Sequence, residues 1–105
     1  MPRVRFDPTL LDASEPFEID TQLSHLFKHA GLSVDDVYDV FFGRPLFYPA
    51  KEDGPADWLM VGEVPGGVVL CVPLAPSRTG RPDVARPIGV YQASRRLKDR
   101  YLQGR

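Results

Sequence analysis

The chain has 105 residues, 43% of them apolar and 26% charged, values ordinary for one small globular core and against wholesale disorder. Its longest apolar run, Val68 to Leu74, is strand-sized and far short of the roughly 20 residues that span a bilayer. Met1-Pro2-Arg3-Val4-Arg5 has no apolar signal stretch, so no membrane partner is expected and the cytoplasm is the expected location. The single cysteine, Cys71, lies inside the apolar run and reads as a buried, inert thiol that has no partner for an internal disulfide.

The formal charge of −1 hides a split. Met1 to Ser77 holds five Lys/Arg against twelve Asp/Glu, a net −7, and Arg78 to Arg105 holds eight against two, a net +6. That pattern fits either a basic surface for phosphates or an acidic partner, or a soluble surface of both signs with a frayed tail.

In chain order, residues 1–16 read as an N-terminal arm or edge strand, and residues 17–105 as a single α+β domain. Phe17-Glu18-Ile19-Asp20 alternates apolar and acidic and ends at an N-cap. Asp20 caps a helix over Thr21 to Ala30, whose Leu23, Leu26, Phe27 and Ala30 fall on one face; Gly31 ends it. Ser33 and Asp36 resemble a capping box, and Val34, Val37, Tyr38 and Phe41 repeat the apolar spacing up to Gly43.

The period then changes. Leu46-Phe47-Tyr48 is a short strand. Trp58 to Val64 and Val68 to Leu74 are paired strands joined by the turn residues Pro65-Gly66-Gly67. The unbroken apolar run Val68 to Val72 predicts a central strand buried on both faces. Pro73 predicts an edge, a bulge or a strand end there. Pro87 to Tyr91 is predicted as one further strand, and Ser94 caps a last helix from Arg95 to Leu102. The expected fold is two N-terminal helices, a three- to four-stranded antiparallel sheet and a C-terminal basic helix.

The first turn of the last helix carries Arg95, Arg96 and Lys98 beside the positive end of the helix dipole, where cations cost roughly 0.3–1 kcal/mol each. With the free amides of that turn, these side chains suit phosphate binding. Arg86 and Arg100 extend the patch. The alternative is that Arg95 and Arg96 pair with Asp35, Asp36 or Asp39. Lys28 and His29, at the end of the first helix, are candidates for proton transfer, and a plain helix-end role is the alternative. His25 and His29 stand four apart but lack a third ligand of suitable spacing, so no metal or other cofactor is expected. Tyr91 suits either base stacking or proton donation, against a role in core packing.

Together these segments resemble the BrnT family of type II toxins, small RelE-like ribonucleases, from Phe17 to about Leu102. Phe17-Glu18-Ile19-Asp20 resembles the family's Phe-Glu-x-Asp. Lys28-His29-Ala30-Gly31-Leu32-Ser33 resembles its Lys-His-Gly-Val-Ser with one extra residue. Val34 to Phe41 is similar to the helix that follows, and Trp58 to Leu74 to its paired strands. Arg86-Pro87-Ile88 into Ala93-Ser94-Arg95-Arg96 and Tyr101 is similar to its last strand and basic helix. Glu63 stands where the family usually has an arginine after the strand glycine. An ungapped match puts Gln92 at the arginine of its Ser-Ala-Arg, unless Arg95 takes that place by a small shift.

The resemblance implies a RelE/BrnT-like toxin of a toxin–antitoxin pair, a metal-independent endoribonuclease. Lys28, His29, Tyr91, Arg95 and Arg96 would be catalytic, and Arg86, Arg95, Arg96, Lys98 and Arg100 would hold RNA. It also implies a cognate antitoxin and either a homodimer or a toxin–antitoxin hetero-oligomer. Glu63 and Gln92 motivate the alternative, a catalytically degenerate RelE-like fold that binds protein or nucleic acid.

Overall fold

The computed structural model describes residues 4–19 and 31–105. The helix expected over Thr21 to Ala30, with His25, Lys28 and His29, lies outside the described residues.

Helix α1 spans Val34–Phe42. Its start is set as the local sequence requires: the Asp36 carboxylate accepts the Ser33 N–H at 2.8 Å, the return half of a capping box. Asp35 and Asp36 in the first turn also suit the dipole. Val37 and Val40 are fully buried on its inner face.

Five strands follow: β1 Leu46–Pro49, β2 Trp58–Glu63, β3 Val69–Pro76, β4 Ala85–Pro87 and β5 Tyr91–Gln92. They form one antiparallel sheet in the order β1-β2-β3-β4, with β5 also paired to β3. As expected, β3 is central and almost wholly buried. The strand expected over Pro87 to Tyr91 is instead broken in two. The cause is Pro73, in the middle of β3, which has no N–H to offer a ladder partner. The chain makes one bond there, from the Ile88 N–H to the Pro73 carbonyl at 3.0 Å. It bows away, and returns to pair only at Cys71 and Leu70.

Strand alternation sorts the side chains onto two faces. Met60, Leu70, Val72 and Leu74 pack with Val37 and Val40 under α1. Val61, Val69 and Cys71 pack on the other face with Tyr101 of helix α2, Arg95–Gly104. The arm is tied across the sheet. The Phe6 N–H donates to Asp57 Oδ2 at 3.1 Å, and Trp58 Nε1 donates to the Phe6 carbonyl at 2.7 Å. Farther on, Phe17 bridges Ala85 in parallel. Val4 to Phe6 forms no strand.

The close approach of α1 to β2 explains Gly43. A Cβ there would stand 2.9 Å from the carbonyl oxygens of both Asp39 and Glu63, and neither can swing aside. Gly43→Ala should therefore destabilise the fold by about 1–3 kcal/mol in urea unfolding. An unchanged midpoint would show that the helix can withdraw from the strand freely.

Candidate nucleic-acid interface

Helix α2 begins as its cap predicts. Ser94 Oγ accepts the Leu97 N–H at 3.2 Å, and the helix runs two residues past Leu102, to Gly104. Its buried stripe is Leu97 and Tyr101, four residues apart. Tyr101 is 2% exposed, and its hydroxyl donates to the Arg44 carbonyl at 3.4 Å. That carbonyl belongs to a residue held at φ 61°, a left-handed conformation that non-glycine residues rarely adopt.

This anchoring decides where the cations go. At 100° per residue, Arg95 and Arg96 diverge from each other. Arg95 and Lys98 line one cleft, about 560 Å³, with the Gly66-Gly67 turn, Gln92 and Asp99. Arg96 and Arg100 line another, about 480 Å³, with Tyr91, Leu59, Leu97 and Lys51. The two arginines that read as one phosphate clamp in the sequence thus serve opposite flanks of one helix. Arg86 is far from both. It sits opposite Ala75, four residues along β3 from Cys71, about 13 Å at strand rise, in a small pocket with Glu18 and Arg78.

None of Arg95, Arg96 and Lys98 forms an ion pair with a described residue. The alternative pairing to Asp35, Asp36 or Asp39 is not found: Asp36 serves the α1 cap, and Asp39 lies near Glu63 in a further cleft. Glu63 itself pairs with Arg105 at the end of α2. The glutamate that would oppose phosphate binding is thereby matched by a cation 42 residues away in sequence. The register also separates Gln92 from Tyr91. Gln92 stands opposite Leu70 and lines the Arg95 cleft, while Tyr91 stands opposite Cys71 and lines the Arg96 cleft.

Tyr91 is held from below. Its hydroxyl accepts the Cys71 thiol proton at 3.3 Å, while 44% of the residue stays exposed. Burial of the hydroxyl end pushes the phenol pKa up, and burial likewise raises that of the Cys71 thiol. Tyr91 therefore stays protonated at neutral pH, which disfavours it as a base. Lys51 and Leu59 are site residues that sequence reasoning misses. Pairing of β1 with β2 brings them to the cleft, and no local motif marks them.

At the far end, Glu18 accepts from the Ser77 hydroxyl and from the Arg78 N–H at 3.2 Å. The first of these bonds, more than the second, lowers its pKa. Among the described residues, no group of three His, Cys, Asp or Glu is placed to hold a metal ion, and no helix is long and apolar enough to cross a membrane.

This arrangement of helices and sheet matches a solved structure. The crystal structure of the Brucella abortus ribonuclease toxin BrnT, at 1.1 Å, superimposes with a TM-score of 0.58. The match covers 77% of this chain and 99% of that one, at 18% sequence identity. The chain has a BrnT-like fold. At that identity the likeness fixes the BrnT-like architecture and no more. No family model and no curated protein matches the sequence.

Two measurements test this geometry. Cys71 should resist alkylation in the native protein at neutral pH and react once the chain is unfolded; rapid native labelling would mean that the Tyr91–Cys71 contact opens. The Glu18 carboxyl should titrate below an ordinary glutamate by NMR, and Ser77→Ala should move its midpoint upward. A depressed carboxylate pKa contributes stability above the unfolded value, lost as pH falls through the folded one. An unmoved midpoint in Ser77→Ala would count against the bond.

Proposed function

We propose that this chain is the toxin of a type II toxin–antitoxin pair and acts on RNA as a metal-independent endoribonuclease. One observation carries the reading: Arg95, Arg96 and Lys98 stand exposed and without an ion pair among the described residues at the start of α2, on a fold shared with a ribonuclease toxin. The N–H groups of Arg95 and Arg96 are also without acceptors among the described residues. Amides and guanidinium groups together suit a phosphodiester and the charge that develops on it during cleavage.

In the proposed reaction, the RNA 2′-oxygen loses its proton and attacks the adjacent phosphorus. The bond from phosphorus to the 5′-oxygen breaks, and that oxygen takes up a proton. Arg95 and Lys98 hold the phosphate, with Arg96 and Arg100 on the neighbouring unit. Lys28 or His29 handles the transferred protons, because Tyr91 keeps its own. An acidic antitoxin segment would cover the same cations and silence them in a cytoplasmic hetero-oligomer.

A second reading, a non-catalytic RNA-binding module, is favoured by Asp99, which places a carboxylate in the Arg95 cleft. Expression without a partner should arrest growth, and Arg95→Ala/Arg96→Ala should relieve the arrest. Full toxicity of the folded double mutant would sink the proposal. RNA that purified protein binds with a steep salt dependence but leaves intact would select the module instead.

A further inference from the structure

The cleft on the Arg96 flank of α2 differs from its neighbours in composition. The clefts beside it and at the far end include Asp99, Glu63 or Glu18. This one is lined by the cations Lys51, Arg96 and Arg100 with the apolar Leu59, Leu97 and Tyr91, and among the described residues by no carboxylate. An anion entering it meets no like charge from those walls.

Its apolar part has the form of a stacking platform. Leu59 belongs to the face of β2 that packs toward α2, and Leu97 is on the helix's inner stripe. Tyr91 lines the same cleft, exposed over 44% of its surface yet tethered by its hydroxyl to Cys71. A ring fixed in this way loses little freedom when a planar group settles on it. Arg100 is also restrained, its guanidinium carbon 4.6 Å from the Tyr48 ring centroid. A volume of about 480 Å³ falls in the range of sites that enclose a small ligand.

A flat aromatic group joined to a phosphate satisfies both halves of such a cleft. We infer that this cleft is a nucleotide pocket. The base stacks on Tyr91 above Leu59 and Leu97, and Arg96, Arg100 and Lys51 hold a phosphate of the same strand. The inference rests on the RNA reading in taking the nucleotide as one unit of a single strand; a free mononucleotide offers the same chemistry. Tyr91 is then a binding residue that acts through its ring, and its hydroxyl serves to position that ring.

The test uses the full chain with two probes, 5′-AMP and a short single-stranded oligoadenylate, with binding followed by calorimetry. Tyr91→Ala should weaken oligonucleotide binding on the order of tenfold, as loss of one stacked base does. Tyr91→Phe should weaken it less than Tyr91→Ala, because the stacking ring remains while the tether to Cys71 is lost. Lys51→Glu, an exposed turn substitution, should weaken binding and flatten its salt dependence. If Tyr91→Ala does not fold, Lys51→Glu decides, and unchanged binding there overturns the pocket. Oligonucleotide binding that needs Arg95 but ignores both Tyr91 and Lys51 overturns the pocket and leaves the RNA reading standing. Tyr91-dependent binding of AMP without any of the oligonucleotide supports the pocket and removes the RNA reading. Binding of neither probe overturns both.

Discussion

The structure turns on β3, a strand that must be paired on both edges and buried on both faces while carrying a proline in its middle. The run Val69 to Val72 provides the burial, and β2 covers one edge with an unbroken ladder. The other edge has to be covered by a chain that cannot receive a hydrogen bond from Pro73. Splitting that chain into β4 and β5 satisfies the backbone groups on either side of the gap. The split leaves residues 88–90 out of the ladder, and the chain returns to the sheet with Tyr91 beside Cys71 and Ser94 placed to cap α2. The position of the candidate interface is thus a consequence of one missing N–H.

Helix α2 then carries opposed local preferences. Its first turn is basic where the dipole favours acids, a cost of roughly 0.3–1 kcal/mol for each exposed cation. Burial of a large aromatic side chain offsets several such terms, since a fully buried side chain of this size is worth about 1.5–3 kcal/mol. Tyr101 and Leu97 supply that burial, and Tyr101 also pins the left-handed Arg44. The helix is held by its inner stripe and its cap, which frees its outer face to carry charges that do nothing for its stability.

Much of this could be read from the sequence, and the unreadable parts share a cause. The α1 cap, the β2–β3 hairpin, the central character of β3 and the Ser94 cap follow from residues within a few positions of one another. Pro73 was a signal too, since a proline in an apolar run demands an exception in the partner strand. The sequence could not say which partner would yield, because that depends on register with residues 87–92. The divergence of Arg95 from Arg96 was legible in principle, once Leu97 and Tyr101 are taken as the buried stripe. The Glu63–Arg105 pair and the arrival of Lys51 beside Arg96 were not, because each needs the full strand order.

The charge split acquires a physical meaning from these contacts. Three acidic groups are engaged by partners elsewhere: Glu63 with Arg105, Asp83 with Arg81, and Glu18 with the Ser77–Arg78 corner. Solvent-exposed pairs of this kind are screened by water and salt, so their effect on stability is small. Their effect on the field is larger. They engage cations at the end of α2 and at the far edge of the sheet, and leave Arg95, Arg96 and Lys98 at the helix's first turns without an ion pair among the described residues, with the Asp99 carboxylate in the cleft of Arg95 and Lys98. A net charge of −1 over the whole chain is therefore compatible with a local surface that attracts anions, because attraction at contact range is set by unpaired neighbours within about a Debye length, 8–10 Å.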